Sequence, residues 1–145
     1  MAGIVIRKEQ LESLRTEKFV SWLVQEVRRD YPQTLNGTPE RRVADMVKHG
    51  LQRGRLYGLS GEPALADFVF TMFLVAPVFD EYPPIQKILL DPAIAEEQKF
   101  PHIHKTMTAG DWKASHTLYK ETYRNRDTAW STFPVLRGER KESGQ

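Results

Sequence analysis

The chain contains no cysteine among its 145 residues, which excludes disulfide bonds, thiolate metal sites and cysteine nucleophiles. Strand signals are almost as scarce. Only Ile4-Val5-Ile6 reads as a short extended piece, and no Asn-Gly turn joins two alternating apolar runs; Asn36-Gly37 falls between two helical patterns instead. Neither sign of charge dominates, since 21 basic residues stand against 19 acidic ones for a net charge of +2. Bulk charge therefore gives no support to nucleic-acid binding. Long hydrophobic runs are also missing: the longest, Phe68 to Phe79, is interrupted by Thr71 and Pro77 and is about half the length a bilayer span needs. The first residues, Met1 to Ile6, are followed at once by Arg7-Lys8-Glu9, too short an apolar stretch for a signal segment. These absences lead to the expectation of a soluble cytoplasmic protein with no membrane partner.

What is present is helical periodicity. With 40% hydrophobic residues, a chain of this length can bury one ordinary core, so a single helical domain over 1–136 is expected, with the Gly-, Ser- and charge-rich residues 137–145 as a frayed tail. From Lys8 to Tyr31 the residues Leu11, Leu14, Phe19, Trp22, Leu23 and Val27 recur at spacings of three to five, among Glu9, Glu12, Arg15, Glu17, Lys18, Glu26 and Arg29. That pattern predicts one long amphipathic helix ending at Tyr31-Pro32. Thr38-Pro39-Glu40 predicts the next start, with Thr38 as N-cap and Pro39 at the first helical position. Val43, Met46, Val47, Leu51 and Tyr57 form its apolar stripe. Gly50 and Gly54, four residues apart, would allow a neighbouring helix to approach closely, and Gly58 is the expected left-handed stop.

Ser60 is expected to cap a third helix, about 62–76, with Leu65, Phe68, Val69, Met72, Phe73 and Ala76 facing inward. It is the most apolar of the chain and so the expected central helix. Asp80-Glu81-Tyr82-Pro83-Pro84 leads into a short helix through Ile85, Ile88, Leu89 and Leu90. Asp91-Pro92 predicts another helix from Ala93 that Pro101 should break or kink, and an amphipathic segment follows from Asp111 to about Arg124. The expected fold is all-α, a compact bundle of five or six helices with no internal repeat.

Chemistry is harder to find. A Gly-x-Ser-x-Gly elbow and a phosphate-binding glycine loop are both missing. His102 and His104 could offer two metal ligands only from extended backbone, because on a helix their rings would point about 200° apart; solvated histidines are the alternative. Asp111, Ser115 and His116 lie close in sequence, but Ser115 and His116 on one helix face different ways. Asp80 and Glu81 read either as a proton-sharing or ion-binding pair, or as a helix-end acid pair with solvent or an arginine as partner. The clusters Arg28-Arg29, Arg41-Arg42 and Arg53 with Arg55, interspersed with acids, read as ordinary charged surface. No catalytic residue, metal site or cofactor is assigned, and the chain is not expected to be an enzyme.

The aromatic residues Trp112, Tyr119, Tyr123, Trp130 and Phe133 gather near the C-terminus. Trp112 and Tyr119 suit a core, whereas Trp130 and Phe133, flanked by Ser, Thr and Pro, suit an interface as well as a core. The expected partner-binding residues are Tyr123, Arg124, Arg126, Trp130, Phe133 and Leu136, together with the outer edge of the first helix.

The run from Gly50 to Asp91 resembles a family of small helical bacterial proteins encoded beside type VI secretion spike genes. The likeness is carried by Arg55-Leu56-Tyr57-Gly58, by Asp67-Phe68, Met72-Phe73 and Phe79-Asp80, and by the stretch Ile88 to Pro92. Ile6 to Leu11, and Phe19 through Tyr31-Pro32, extend it over roughly residues 6–92. The resemblance implies an accessory role, an adaptor or chaperone that helps load or stabilise a secreted effector, with the effector or a spike component as partner and possible self-association when empty. An immunity protein that neutralises a cognate toxin is the alternative in the same setting. A small enzyme or metal-binding protein is the third class.

Overall fold

The computed structural model describes residues 8–123 and 126–134, the side chains of residues 126 and 127 excepted. Within them the chain is all-α, as the periodicity predicts. The helices are α1 (Lys8–Asp30), α2 (Glu40–Leu56), α3 (Glu62–Leu74), α4 (Pro83–Leu90), α5 (Lys99–Thr106), α6 (Ala109–Thr122) and the short α7 (Arg126–Ala129), and no strand occurs among the described residues. The expected tail, 137–145, lies outside them. The chain divides into two compact units, residues 1–48 and 49–145.

In the first unit, α1 carries two apolar faces and not the single stripe that the spacing suggests. Phe19, Val20, Leu23, Val24 and Val27 are buried, while Leu11, Leu14 and Trp22 are 42%, 46% and 45% exposed. At about 100° per residue these three project roughly opposite the buried set. Every residue from Lys8 to Lys18 is exposed, so the first three turns of α1 bury no side chain. The helix ends where Tyr31 N–H still bonds the Val27 carbonyl at 2.8 Å, and the connection closes through Thr38 N–H to the Leu35 carbonyl at 2.9 Å. Gly37 takes φ +77° there, a conformation that costs glycine little.

The second unit begins in α2. Gly50 and Gly54 allow the close approach expected of them: a Cβ on Gly50 would lie 3.0 Å from Met72 Sδ, and one on Gly54 3.0 Å from Leu65 Cδ2. Gly58 ends the helix at φ +87°, and Leu59 N–H reaches back to the Gly54 carbonyl at 3.4 Å. α3 is the buried helix the sequence predicts, with Leu65, Phe68, Val69, Met72 and Phe73 all at most 4% exposed. Phe68 meets Phe79 at 5.0 Å and Phe100 at 6.3 Å between ring centres, so α3, the turn after it and α5 share one aromatic core.

The cap of α3 and the start of α5 differ from expectation. The N-cap of α3 is Gly61, because the Ser60 hydroxyl donates instead to Glu96 Oε1 at 3.0 Å, and Gly61 N–H donates to the other oxygen of that carboxylate. Glu96 thus does from a distance what a local cap does elsewhere. Pro101 does not break a helix: residues 91–95 are non-helical, Glu96–Gln98 form one 3-10 turn, and α5 starts at Lys99. As the third residue of α5, Pro101 stands where an N–H has no intrahelical partner to lose.

Candidate functional site

In the last turns of α2 a buried arginine, Arg53, breaks the apolar pattern and belongs to a polar cluster in the second unit. Arg53 lies seven residues after Met46 and four before Tyr57, on the buried face of the helix, and its side chain is 0% exposed. Pro77 interrupts the apolar run, and the chain winds into a short tight turn, Phe79–Glu81, that turns two acids back toward α2. Arg53 Nε donates to Asp80 Oδ1 at 2.7 Å, and Nη2 donates to Glu81 Oε2 at 2.6 Å. Nη1 donates to the Thr132 carbonyl at 2.8 Å. One guanidinium therefore holds two adjacent carboxylates and the backbone of the C-terminal segment.

Two phenols complete the arrangement. Tyr57, one turn after Arg53, donates to Asp80 Oδ2 at 2.6 Å and accepts from Gln86 Nε2 at 3.2 Å. Tyr123 donates to Glu81 at 3.0 Å. Two carboxylates against one guanidinium leave one excess negative charge, and the two hydroxyl donors spread it. Burial works to lower the Arg53 pKa, but Asp80 and Glu81 more than offset it and hold it above its ordinary value. Burial pushes the Asp80 carboxyl up, against the pull of Arg53 and Tyr57. Burial, then the neighbouring carboxylates, raises both phenols, Tyr123 to about 12 and Tyr57 further. Both tyrosines consequently stay protonated at neutral pH, as donors. Each strong donor of the cluster points at an internal acceptor, which is the chemistry of a clamp: it fixes α2, the turn at residues 79–81, α6 and the segment at Thr132 against one another.

This resolves the open reading of Asp80 and Glu81 in favour of an arginine partner, and it corrects the reading of Arg53 as charged surface; Arg55, two residues on, is exposed. The sequence holds a usable signal for this pairing, an arginine on the apolar stripe of α2 followed by tandem acids. Tyr57, assigned to the stripe for its ring, and Gln86 carried none.

The other candidates fall into place around this. His102 and His104 are exposed on intact α5, with buried Ile103 between them, so the extended backbone a two-histidine ligand set needs is absent. Among the described residues no group of three or more His, Asp or Glu side chains could hold a metal. Ser115 is buried on α6, where Asp111 forms a capping box with Thr108 and accepts from Tyr82 Oη at 2.8 Å. The Thr108-x-x-Asp111 spacing signals that start one turn earlier than the expected Asp111.

Of the expected partner-binding residues, Trp130 is only 3% exposed and packs its ring 4.6 Å from Phe73. Phe133 contacts His49 at 4.7 Å and keeps 45% of its surface exposed. Tyr123 is half-buried and turned to Glu81. Arg126 begins α7, and Arg124 and Leu136 lie outside the described residues. The clamp's bond to Thr132 therefore sits between a core tryptophan and a half-exposed phenylalanine. Comparison with family models, with curated proteins and with solved structures returns no match to the chain.

Proposed function

We propose that the protein is a protein-binding accessory factor, an adaptor or chaperone that helps load or hold a type VI secretion effector. The observation that carries the reading is the exposed apolar edge of α1, where Leu11, Leu14 and Trp22 keep more than two-fifths of their surface in solvent. Apolar side chains grouped in this way on a surface helix mark contact sites more often than isolated ones do. The resemblance over residues 6–92 supplies the secretion setting. The closed clamp supports the reading from the other direction, because its donors and acceptors are spent on one another and it stiffens the second unit.

Co-expression of the tagged protein with the products of neighbouring genes tests this. The expected result is recovery of an effector in near-stoichiometric amount, and loss of effector delivery, with toxin protection unchanged, in a strain lacking the protein. Recovery of the protein alone overturns the reading. Protection of cells against the cognate toxin, with delivery intact, replaces it by the immunity reading.

A further inference from the structure

The exposed edge of α1 has a charge pattern as well as an apolar one. On a wheel of about 100° per residue, Leu14, Lys18, Leu11 and Trp22 follow one another across an arc of about 80°, with Arg15 at its rim. All five are exposed. Glu9, Glu12 and Glu17 are turned about 60° or more beyond the edges of this arc. Glu26 lies nearer, and its carboxylate is engaged by Arg29 at 2.9 Å. The seam is thus apolar and basic, while the acids of the same helix lie off it.

We infer that this seam, Leu11, Leu14, Lys18 and Trp22 with Arg15, binds one amphipathic helix of a partner protein whose apolar face is flanked by Asp and Glu. Width selects a helix: an arc of about 80° is narrower than the stripe by which a helix beds on a broad core or lies in a bilayer, and corresponds to a two-helix seam. Charge selects the flank. Lys18 stands between Leu14 and Trp22, and Arg15 beside Leu11, where acidic side chains of a partner would pair with them as flanking charges do in helix pairs. A second copy of the chain would bring the same cations to the seam, at a cost in repulsion. The inference deepens the accessory reading, on which it rests only for the existence of a protein partner.

The test uses two synthetic helical peptides of equal length and identical leucine heptads, one with Glu and one with Lys at the flanking positions, titrated against the full chain by calorimetry. The Glu peptide is expected to bind at least about tenfold more tightly than the Lys peptide at low salt, with the difference shrinking as salt rises. Leu14→Ser with Trp22→Ser should abolish binding. Arg15→Glu with Lys18→Glu, which leaves the apolar residues in place, should reverse the preference; all four positions are exposed, and circular dichroism checks that the variants fold. No binding of the Glu peptide, equal binding of both peptides, or unchanged binding by the seam variants overturns the inference. So does partition of the chain onto phosphatidylserine vesicles, or concentration-dependent dimerisation, that the seam variants abolish. If effector capture survives in the seam variants, the inference falls and the accessory reading stands; if the peptide preference holds and no effector is recovered, the reverse is true.

Discussion

Removing the Arg53 guanidinium would strand Asp80, which is 0% exposed, without the cation that offsets its burial. Breaking a buried pair from one side costs about 3–5 kcal/mol, whereas replacing both partners by apolar groups is often close to neutral. Arg53→Met alone is therefore expected to destabilise by about that amount, and Arg53→Met with Asp80→Leu by clearly less than the sum of the two single changes. Urea denaturation of the three variants measures this. Strict additivity would show that the two side chains do not depend on each other. Residue identity alone hid this pairing, because an arginine is an ordinary surface residue until its position on a helix is taken into account, and its partners lie 27 and 28 positions away.

Helix packing sets the next test. Gly54 tolerates no side chain without movement of Leu65, and Phe68 Cγ stands 3.4 Å from the same point. Gly54→Ala gains about 1 kcal/mol of helix propensity but overpacks a close contact, at about 1–3 kcal/mol, so net destabilisation is expected. Gly58→Ala meets no atom within 4 Å but must hold φ +87°, at about 1 kcal/mol. Melting temperatures should fall for both, and a rise for Gly54→Ala would mean that α2 and α3 have slack there. At this scale much was legible. The glycine pair, the Gly58 stop and the apolar face of α3 are local signals that the sequence carries openly. Boundaries set by distant residues were not: Glu96 replaces the cap expected of Ser60 from 36 positions away, and the two faces of α1 merge into one stripe when only spacing is counted.

For the molecule as a whole, titration should show which groups folding has tied down. Glu96 is held low by Gly61 N–H and Ser60, and Asp111 by Thr108 N–H and the Tyr82 hydroxyl. A carboxyl lowered on folding contributes stability above its ordinary pKa, 4.5 for Glu96 and 3.8 for Asp111, and loses it as pH falls through the lowered value. The raised phenols act in the opposite sense: their contribution is present below pH 10.0 and is lost as pH rises through their folded values, about 12 for Tyr123. Glu96→Gln and Asp111→Asn should each flatten the acid limb of denaturant midpoints measured between about pH 2 and 7. Absorbance at about 295 nm should show Tyr57 and Tyr123 ionising above the ordinary phenol value of 10.0. An acid limb unchanged in both carboxyl variants would mean that the caps persist without their charge.

The bond from Arg53 to the Thr132 carbonyl spans 79 residues, and this bears on how the protein is made. During synthesis the guanidinium can reach Asp80 and Glu81 as soon as the turn after α3 has emerged, but Nη1 has no carbonyl to meet until the chain has been extended past Thr132. A nascent or truncated chain ending before that point folds around a cation one acceptor short, so the clamp closes only once Thr132 has joined the chain.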